Sequence, residues 1–188
     1  MQKTSAAPGS CYFYYPRLVA VVGIRDEHKD TCNFAPVAWA SPLSSDPPFF
    51  GICLSPRTYS YQLVLRSGEF SINFLGHEDA ALCDALGALS GRETDKVKAL
   101  QLELEAPEVL ATPTLSRAYA AAECLLVERH QIGDQTLFVG EVQRIHTRND
   151  AFDADGLLRT DRTNPLLYLG NKRYVTADSA SVFRPEPE

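Results

Sequence analysis

Residues 33–58 read NFAPVAWASPLSSDPPFFGICLSPRT, and this stretch is the most informative part of the chain for the fold. It contains parts of two apolar runs, 32–41 and 49–55, whose aliphatic and aromatic content is typical of buried strands. Between them, SPLSSDPP is dense in Pro and Ser, which favours turns and irregular backbone. The segment is therefore predicted to be a rigid polar loop that joins two core strands.

The flanking segments extend this pattern in both directions. Upstream, RLVAVVGI at 17–24 is an almost continuous apolar run, and the polar RDEHKDT that follows predicts a turn back into the strand 32–41. Downstream, Thr58 is predicted to cap the N-terminus of a short helix over 59–66, and Gly68 is placed to end it. A hairpin, a strand and a helix are thus expected in sequence.

The remaining chain changes period several times. In EFSINFL the apolar side chains alternate with Ser71 and Asn73, which predicts a strand with one core face and one polar face. The other predicted elements are a helix over 77–89, a short helix opened by Thr94 and Asp95, long strands at 119–129 and 136–146 joined by a Gly-Asp turn, and a short apolar run at 165–170.

Strands come first, helices follow, and strands return, with no regular β-α-β alternation. This order predicts a mainly β fold with helical insertions, an antiparallel barrel or sandwich, and argues against a doubly wound parallel sheet. The 188 residues are expected to form one domain with a core of about 13–175 and flanking tails at 1–12 and 176–188.

Composition narrows the classes of function. The formal net charge of -6 argues against a nucleic-acid partner, because nonspecific affinity for phosphate backbones comes from clustered Lys and Arg. The sequence contains neither a signal-like apolar segment at its N-terminus nor a run long enough to span a membrane, so a cytoplasmic protein is expected. The five cysteines, without a CxxC pair, are predicted to be reduced and structural, with no metal bound.

The familiar nucleotide, esterase and zinc-protease motifs are missing from the sequence, and the four histidines are expected to be exposed polar residues without a role. A different feature suits a phosphorylated ligand. Ser55, Arg57 and Thr58 combine two hydroxyls, a fixed cation and a helix N-terminus within four positions. Taken alone, this pattern also describes an N-capping threonine beside a surface arginine. Trp39 and the loop after it fit two interpretations equally well. They could form a rigid wall for a flat ring, or Trp39 could be a core or interface residue within a Pro-rich connection.

At this point the residues resemble the flavin reductase-like, FMN-binding split-barrel family. Six segments correspond to its motifs in the right order and span about residues 13–175: Tyr15-Pro16-Arg17, Asn33 to Trp39 with Pro42 to Pro48, Ser55 to Tyr59, Gly68 to Asn73, Ser90 to Lys96, and Pro165 to Tyr174. The resemblance implies a six-stranded antiparallel Greek-key split β-barrel, a homodimer, and one FMN per subunit, rather than FAD, near the dimer interface.

The resemblance also implies a set of cofactor-binding residues. Ser55, Arg57 and Thr58 would bind the phosphate, and Lys172 or Arg173 would close the site. Asn73 and Phe74 would add backbone or side-chain contacts. The isoalloxazine and ribityl chain would be lined by two loop segments, Ala38, Trp39, Ala40 and Ser41 followed by Leu43, Ser44 and Ser45.

The activity implied is an NAD(P)H:flavin oxidoreductase, in which NADH or NADPH supplies electrons through FMN to free flavin, ferric iron, a partner monooxygenase or a redox protein. No side chain is expected to act as an acid or base, because the cofactor carries the chemistry. Family members that reduce free flavin often carry a histidine near the C-terminal tyrosines, whereas this chain has Leu169-Gly170-Asn171 there. Two alternatives stay open: an electron-transfer flavoprotein without a nicotinamide site, and a flavin-binding storage or sensing module.

Overall fold

The structure is a computed structural model that describes residues 3–5, 7, 9, 13–183 and 185. Within these residues the chain forms three α-helices, α1 (Tyr59–Ser67), α2 (Ala80–Ala88) and α3 (Lys96–Ala99). The strands are β1 (Arg17–Leu18), β2 (Ala20–Asp26), β3 (Thr31–Val37), β4 (Ala40–Ser45), β5 (Pro48–Leu54), β6 (Glu69–Phe74), β7 (Leu104–Glu105), β8 (Thr114–Leu115), β9 (Ala120–Ile132), β10 (Gln135–Thr147), β11 (Leu167–Gly170) and β12 (Arg173–Val175).

The main sheet is antiparallel and closes on itself. Its strand order is β3-β2-β6-β9-β10-β5-β4, so β3 and β4, consecutive in the chain, lie at opposite ends of the order. Only Ala38 and Trp39 separate them, and the amide of Cys53 donates to the carbonyl oxygen of Trp39 at 2.9 Å. β3 and β4 are thus the two halves of one bent strand. Counted in this way the barrel has six strands, which confirms the predicted architecture.

The apolar side chains form two clusters, one on each side of β2. Val22 and Ile24 point into the barrel with Ile52, Phe70 and Phe138, and α1 packs against that cluster. The alternate residues Val19 and Val21 face a second cluster with α2 and the segment leading into β11. Because β2 is buried on both faces, its sequence is a continuous apolar run instead of an alternating one.

Local sequence signals were accurate around α1. Thr58 caps the helix, its side chain accepting a hydrogen bond from the amide of Tyr61, and Gly68 ends it in the left-handed conformation at φ 68°. A residue with a Cβ is strained at that angle, which is why glycine stands there. The hairpin β2–β3, the strand β6, α2 and the long hairpin β9–β10 also confirm the predicted elements.

One prediction needs correction. The segment SPLSSDPP is not a loop throughout, because residues up to Ser45 form β4 and pair with β5. Pro42 is tolerated because β4 is the last strand in the hydrogen-bonded order, and the pairing shifts register between Pro42 and Ser44. The described part of the C-terminal tail contains a 3₁₀ turn over Ser179–Ser181.

The polar face of β6 is buried in the protein. Ser71 Oγ donates to the carbonyl oxygen of Pro113 at 2.8 Å, and Asn73 Nδ2 donates to that of Val21 at 2.9 Å. Asn73 Oδ1 in turn accepts from the amide of Leu115 at 2.7 Å. These side chains hold β6 to β2 and to the segment around β8, since buried polar groups need hydrogen-bond partners.

The cysteines lie mainly in the apolar interior. Cys32, Cys83 and Cys124 are buried and Cys53 is partly buried, all four as free thiols, while Cys11 lies outside the described residues. Burial raises the pKa of the Cys124 thiol to about 12, so it is fully protonated at neutral pH. Of the helices in the described ranges, none has the length and apolar character needed to cross a bilayer.

Candidate functional site

Three adjoining cavities form one cleft beside the bend between β3 and β4. Pro36 lines all three cavities. In the order described below, Ala38 lines the first and the third, Thr58 lines the first and the second, and Gly87 lines the second and the third. The first, here called the aromatic cavity, has about 350 Å³ and is lined by Tyr15, Trp39 and the end of β5. The bent strand therefore positions the wall of the cleft directly.

In the aromatic cavity a tyrosine fixes the tryptophan. Trp39 Nε1 donates to the hydroxyl of Tyr15 at 3.2 Å, and the Trp39 side chain is 42% exposed. Tyr14 approaches the same ring, with the two ring centroids 6.4 Å apart. A partly exposed, hydrogen-bonded indole beside Pro36 and Ala38 provides an apolar wall that does not need to rearrange to accept a planar ligand.

The second cavity, here called the cationic cavity, has about 300 Å³ and lies at the N-terminus of α1. Arg57, Arg92 and Lys96 line it together with Thr58 and Ser60. Thr58 Oγ1 donates to the carbonyl oxygen of Ser55 at 2.8 Å, which fixes the helix start. A helix N-terminus flanked by three basic side chains favours an anion, phosphate in particular.

Lys96 is buried in this cavity, with only 3% of the residue exposed. Its Nζ donates to the carbonyl oxygens of Phe34 at 2.8 Å and Leu86 at 2.7 Å, so it ties β3 to the end of α2. Among the described residues, no carboxylate forms a salt bridge with it. Burial lowers the pKa of Lys96 to about 8, because the charged ammonium is poorly solvated there.

Tyr59 organises the basic side chains at the rim of the cationic cavity. Lys29 Nζ and the Arg92 guanidinium lie 5.1 Å and 5.4 Å from its ring centroid, at cation-π distance. Lys29 also donates to the carbonyl oxygens of Gly91 and Arg92, which holds the 90–92 loop beside α1. The hydroxyl of Tyr59 donates to the buried carboxylate of Asp26, and burial followed by this hydrogen bond raises the pKa of Tyr59.

The third cavity, here called the terminal cavity, has about 270 Å³ and is lined by α2 and the C-terminal strands. Its walls include Tyr168 and Tyr174, whose ring centroids are 5.2 Å apart. At its edge Lys172 Nζ lies 3.5 Å from Asp84 Oδ2. Burial raises the pKa of the Cys83 thiol in its floor to about 11, so no thiolate is available there at neutral pH.

The cleft brings together part of the residue set predicted from the sequence. Ala38, Trp39, Ser55 and Thr58 line the aromatic cavity, Arg57 and Thr58 the cationic cavity, and Lys172 the terminal cavity. Phosphate binding at Ser55 and the other predicted contacts remain predictions.

Other predicted residues lie outside the three cavities. Ala40, Ser41, Leu43, Ser44 and Ser45 belong to β4, beyond the bend, where Ser41 Oγ donates to the carbonyl oxygen of Pro42. Asn73 is fully buried, and Phe74 packs between Phe50 and Tyr119. Both residues lie on β6, and they are outside the cleft because β2 separates β6 from β3. Arg173 is exposed in β12.

Sequence reasoning missed several residues that line the cleft, among them Tyr15, Asn33, Arg92, Lys96 and Tyr168. All five lie within segments that correspond to family motifs, so a signal was present in the sequence without indicating their roles. His146 also differs from the expectation of an exposed residue: its side chain is 21% exposed and its Nε2 lies 2.8 Å from Glu123 Oε1.

Comparison with known proteins gives a consistent result. A family described as "Flavin reductase like domain" matches residues 12–177. The chain is 32% identical over 160 residues to a protein of Aeropyrum pernix, of which it spans 59% of the length and 85% of its own. It is 31% identical over 142 residues to the reductase component of an FADH2-dependent resorcinol hydroxylase from a Rhizobium species, covering 74% of this chain and 69% of the relative.

A solved structure agrees with the fold over nearly the whole chain. It is an FMN-binding protein from Thermus thermophilus with bound 1-cyclohex-2-enone, 35% identical, with a TM-score of 0.85 and 98% of each chain covered. The six-stranded antiparallel barrel, the matched family and this similarity lead to one conclusion: the chain belongs to the flavin reductase like family.

Proposed function

We propose that this protein binds FMN in the cleft and acts as an oxidoreductase that passes electrons from NADH or NADPH to an acceptor. The observation that carries the proposal is the direct connection, through Thr58 and Pro36, between a cavity with an aromatic wall and a cavity with basic side chains at a helix N-terminus. A planar ring system with a phosphorylated side chain has the chemistry to match both parts.

The residues fit the cofactor by charge and by hydrogen-bonding capacity. Arg57 and Arg92 would hold the phosphate with the free amides of the first turn of α1, and Trp39 with Tyr15 would hold the ring. When bound, FMN would supply the redox chemistry of hydride and electron transfer. The protein contributes position and electrostatic potential, and no side chain in the cleft is required as an acid or base.

The acceptor is proposed by chemical class. The resorcinol hydroxylase relative is named as a reductase component, so a partner monooxygenase that receives reduced flavin is one candidate. Free flavin, ferric iron and another redox protein are the others. Tyr168 and Lys172 flank the position where this chain lacks the family's C-terminal histidine, and this difference keeps an electron-transfer role without a nicotinamide site as a second candidate. Steady-state oxidation of NADH and NADPH with added FMN separates the two.

We also propose that the protein works as a homodimer in the cytoplasm. Trp39 and Leu43 are 42% and 48% exposed near the bent strand, with Phe49 and Phe50 partly buried beside them. A second copy would cover this apolar surface and could bring the β4 residues of one subunit to a cleft. Sedimentation at micromolar concentration would find a dimer, and a purely monomeric species would contradict the proposal.

Arg57 provides the sharpest test of the phosphate position. Arg57→Glu should weaken FMN binding at least ten- to a hundredfold, because it removes a charge-assisted bond worth about 1.5–3 kcal/mol and adds repulsion. Riboflavin, which lacks the phosphate, should bind the variant and the wild type equally, as measured by flavin fluorescence titration at low salt.

A matched control is Arg129→Glu, which makes the same charge reversal at an exposed residue of β9 outside the three cavities. This control should leave the FMN affinity within about threefold of the wild type, because an exposed charge is strongly screened. Wild-type FMN affinity in a correctly folded Arg57→Glu variant would show that the phosphate lies elsewhere.

A further inference from the structure

Asp26 is a buried carboxylate whose charge the protein compensates only in part. It ends β2, is 1% exposed, and its Oδ2 accepts a hydrogen bond from the hydroxyl of Tyr59. Its Oδ1 has no hydrogen-bond partner among the described residues. Arg25, the preceding residue, lies 3.7 Å from Asp30 instead, and no salt bridge to Asp26 is formed in the same part of the chain. A charge buried in this way costs free energy of folding, so stability does not account for it.

The hydrogen bond to Tyr59 connects this carboxylate to a group of cations. Tyr59 begins α1, and Lys29 Nζ and the guanidinium groups of Arg92 and Arg66 lie 5.1, 5.4 and 5.9 Å from its ring centroid. A phenol that donates to a carboxylate gains electron density in its ring, and the negative face of an aromatic ring attracts cations. The negative charge of Asp26 therefore strengthens the attraction between the Tyr59 ring and these cations.

Two of the three cations determine where the 90–92 loop lies. Lys29 Nζ donates to the carbonyl oxygens of Gly91 at 2.9 Å and Arg92 at 2.7 Å, and both of those residues line the cationic cavity. Within the described ranges, neither Lys29 nor Arg92 forms a salt bridge with a carboxylate. The contact with the Tyr59 ring is thus the main electrostatic hold on both charges.

We propose that Asp26 is a positioning residue for anion binding, which acts through Tyr59 to hold Arg92 and the 90–92 loop at the cationic cavity. The inference rests on the proposed function, in which this cavity receives the phosphate of FMN. Asp26 itself does not line the cavity and does not touch the ligand. Its role is to keep a cation in place that the ligand then uses.

The direction of the change in affinity separates this role from a simple electrostatic field. Asp26→Asn keeps an oxygen that can accept from Tyr59 and removes the charge. A field alone predicts tighter FMN binding, because a negative charge near the phosphate disappears. The proposal predicts that FMN affinity falls about three- to tenfold while riboflavin affinity stays within about twofold. The control Glu27→Gln removes the same charge from the exposed neighbouring residue and should leave FMN affinity equal to or slightly above that of the wild type.

Tyr59→Phe tests the path, because phenylalanine keeps the ring and loses the hydroxyl. The same loss of FMN affinity is expected, and the double variant should lose no more than about twofold beyond either single variant, since both changes interrupt one contact. In the ligand-free protein, the amides of Glu93 and Thr94, which donate to the carbonyl oxygen of Ser90 at 3.1 and 2.9 Å, should exchange hydrogen faster in both variants. Affinities are measured by flavin fluorescence titration, and circular dichroism verifies the fold.

Other results would overturn the inference and leave the proposed function intact. Unchanged or higher FMN affinity in Asp26→Asn would show that the carboxylate does not position the loop. Losses that add in the double variant would assign Asp26 and Tyr59 separate roles. Equal losses for FMN and riboflavin, or wild-type exchange at Glu93 and Thr94, would mean that the substitutions act elsewhere in the cleft. If the wild type binds neither flavin, the proposed function fails, and the inference fails with it.

Discussion

Two buried polar clusters, on different parts of the barrel, differ in whether the protein completes them itself. Around Glu123, which is 1% exposed, the carboxylate accepts from the amides of Glu108, Val109 and Leu110 at 2.6–3.0 Å. His146 lies against the same carboxylate. In the cationic cavity, Asn33 lacks a donor and Lys96 has no carboxylate among the described residues. The first cluster is closed, and the second is open toward a cavity.

The difference indicates which cluster serves stability and which serves binding. Burial alone would raise the pKa of Glu123, but the amides of Leu110 and Glu108, His146 and the amide of Val109 together lower it to about 2. Its charge is therefore stabilised by the fold. Lys96 carries its burial cost without an anion, and a phosphate is the group that would compensate it. We expect substitutions in the two clusters to separate folding from flavin binding.

Glu123→Gln should have the largest effect on stability. It replaces one carboxylate oxygen with an amide group facing backbone donors, so buried N–H groups lose their acceptor at a cost of about 3 kcal/mol in the free energy of unfolding. Urea unfolding measures this loss. The control Glu128→Gln, exposed on the same strand, should change stability by less than about 0.5 kcal/mol. A large loss of FMN affinity in folded Glu123→Gln would break the separation between the clusters.

The same carboxylate should give the wild type an acid-sensitive stability. The pKa of Glu123 is about 2 in the folded protein and near 4.5 in the unfolded chain, so the unfolded chain binds a proton at a higher pH than the folded protein does. Acidification therefore favours unfolding. The contribution of Glu123 is complete above about pH 5 and should have decreased by about 2 kcal/mol at pH 3. Urea unfolding of the wild type and Glu123→Gln at both pH values measures it. A difference between the two proteins that does not narrow on acidification would refute this assignment.

Lys96→Met should show the opposite separation. Loss of two hydrogen bonds is offset by removal of a poorly solvated charge, so the free energy of unfolding without ligand should change by about 1 kcal/mol or less. FMN affinity should fall about tenfold, since the phosphate loses a buried cation, while riboflavin affinity stays within about threefold. Lys98→Met, an exposed lysine of the same helix, is the matched control. Equal losses for both flavins would indicate that Lys96 only shapes the cleft.

The sequence predicted those features that depend on neighbouring residues. The cap at Thr58, the end of α1 at Gly68 and the hairpin β2–β3 follow from local chemistry, and Arg57 was placed at the cleft because helix starts bind anions. Roles that depend on distant contacts were missed. Lys96 bonds to Phe34, 62 positions earlier, and no local pattern indicates that contact. The strand β4 was missed because a Pro-rich segment indicates a loop unless its position at the sheet edge is known.

Substitutions at the rim of the open cluster should show the smallest effect. They also test which of two residues, left as alternatives by the sequence, closes the site. Lys172 lines the terminal cavity and its side chain, 72% exposed, faces Asp84, whereas Arg173 is exposed on β12. A pair this exposed contributes little, so Lys172→Ala should change the free energy of unfolding by less than about 0.5 kcal/mol.

We expect Lys172→Ala to weaken FMN binding about two- to threefold at low salt, through loss of a nearby positive charge, and Arg173→Ala to leave the affinity unchanged. Fluorescence titration at two salt concentrations tests this, because a purely electrostatic contribution should diminish as salt is raised. A larger loss in Arg173→Ala than in Lys172→Ala would assign the closing role to Arg173 and would mean that flavin binding brings the Arg173 side chain, which is exposed on β12, toward the cleft.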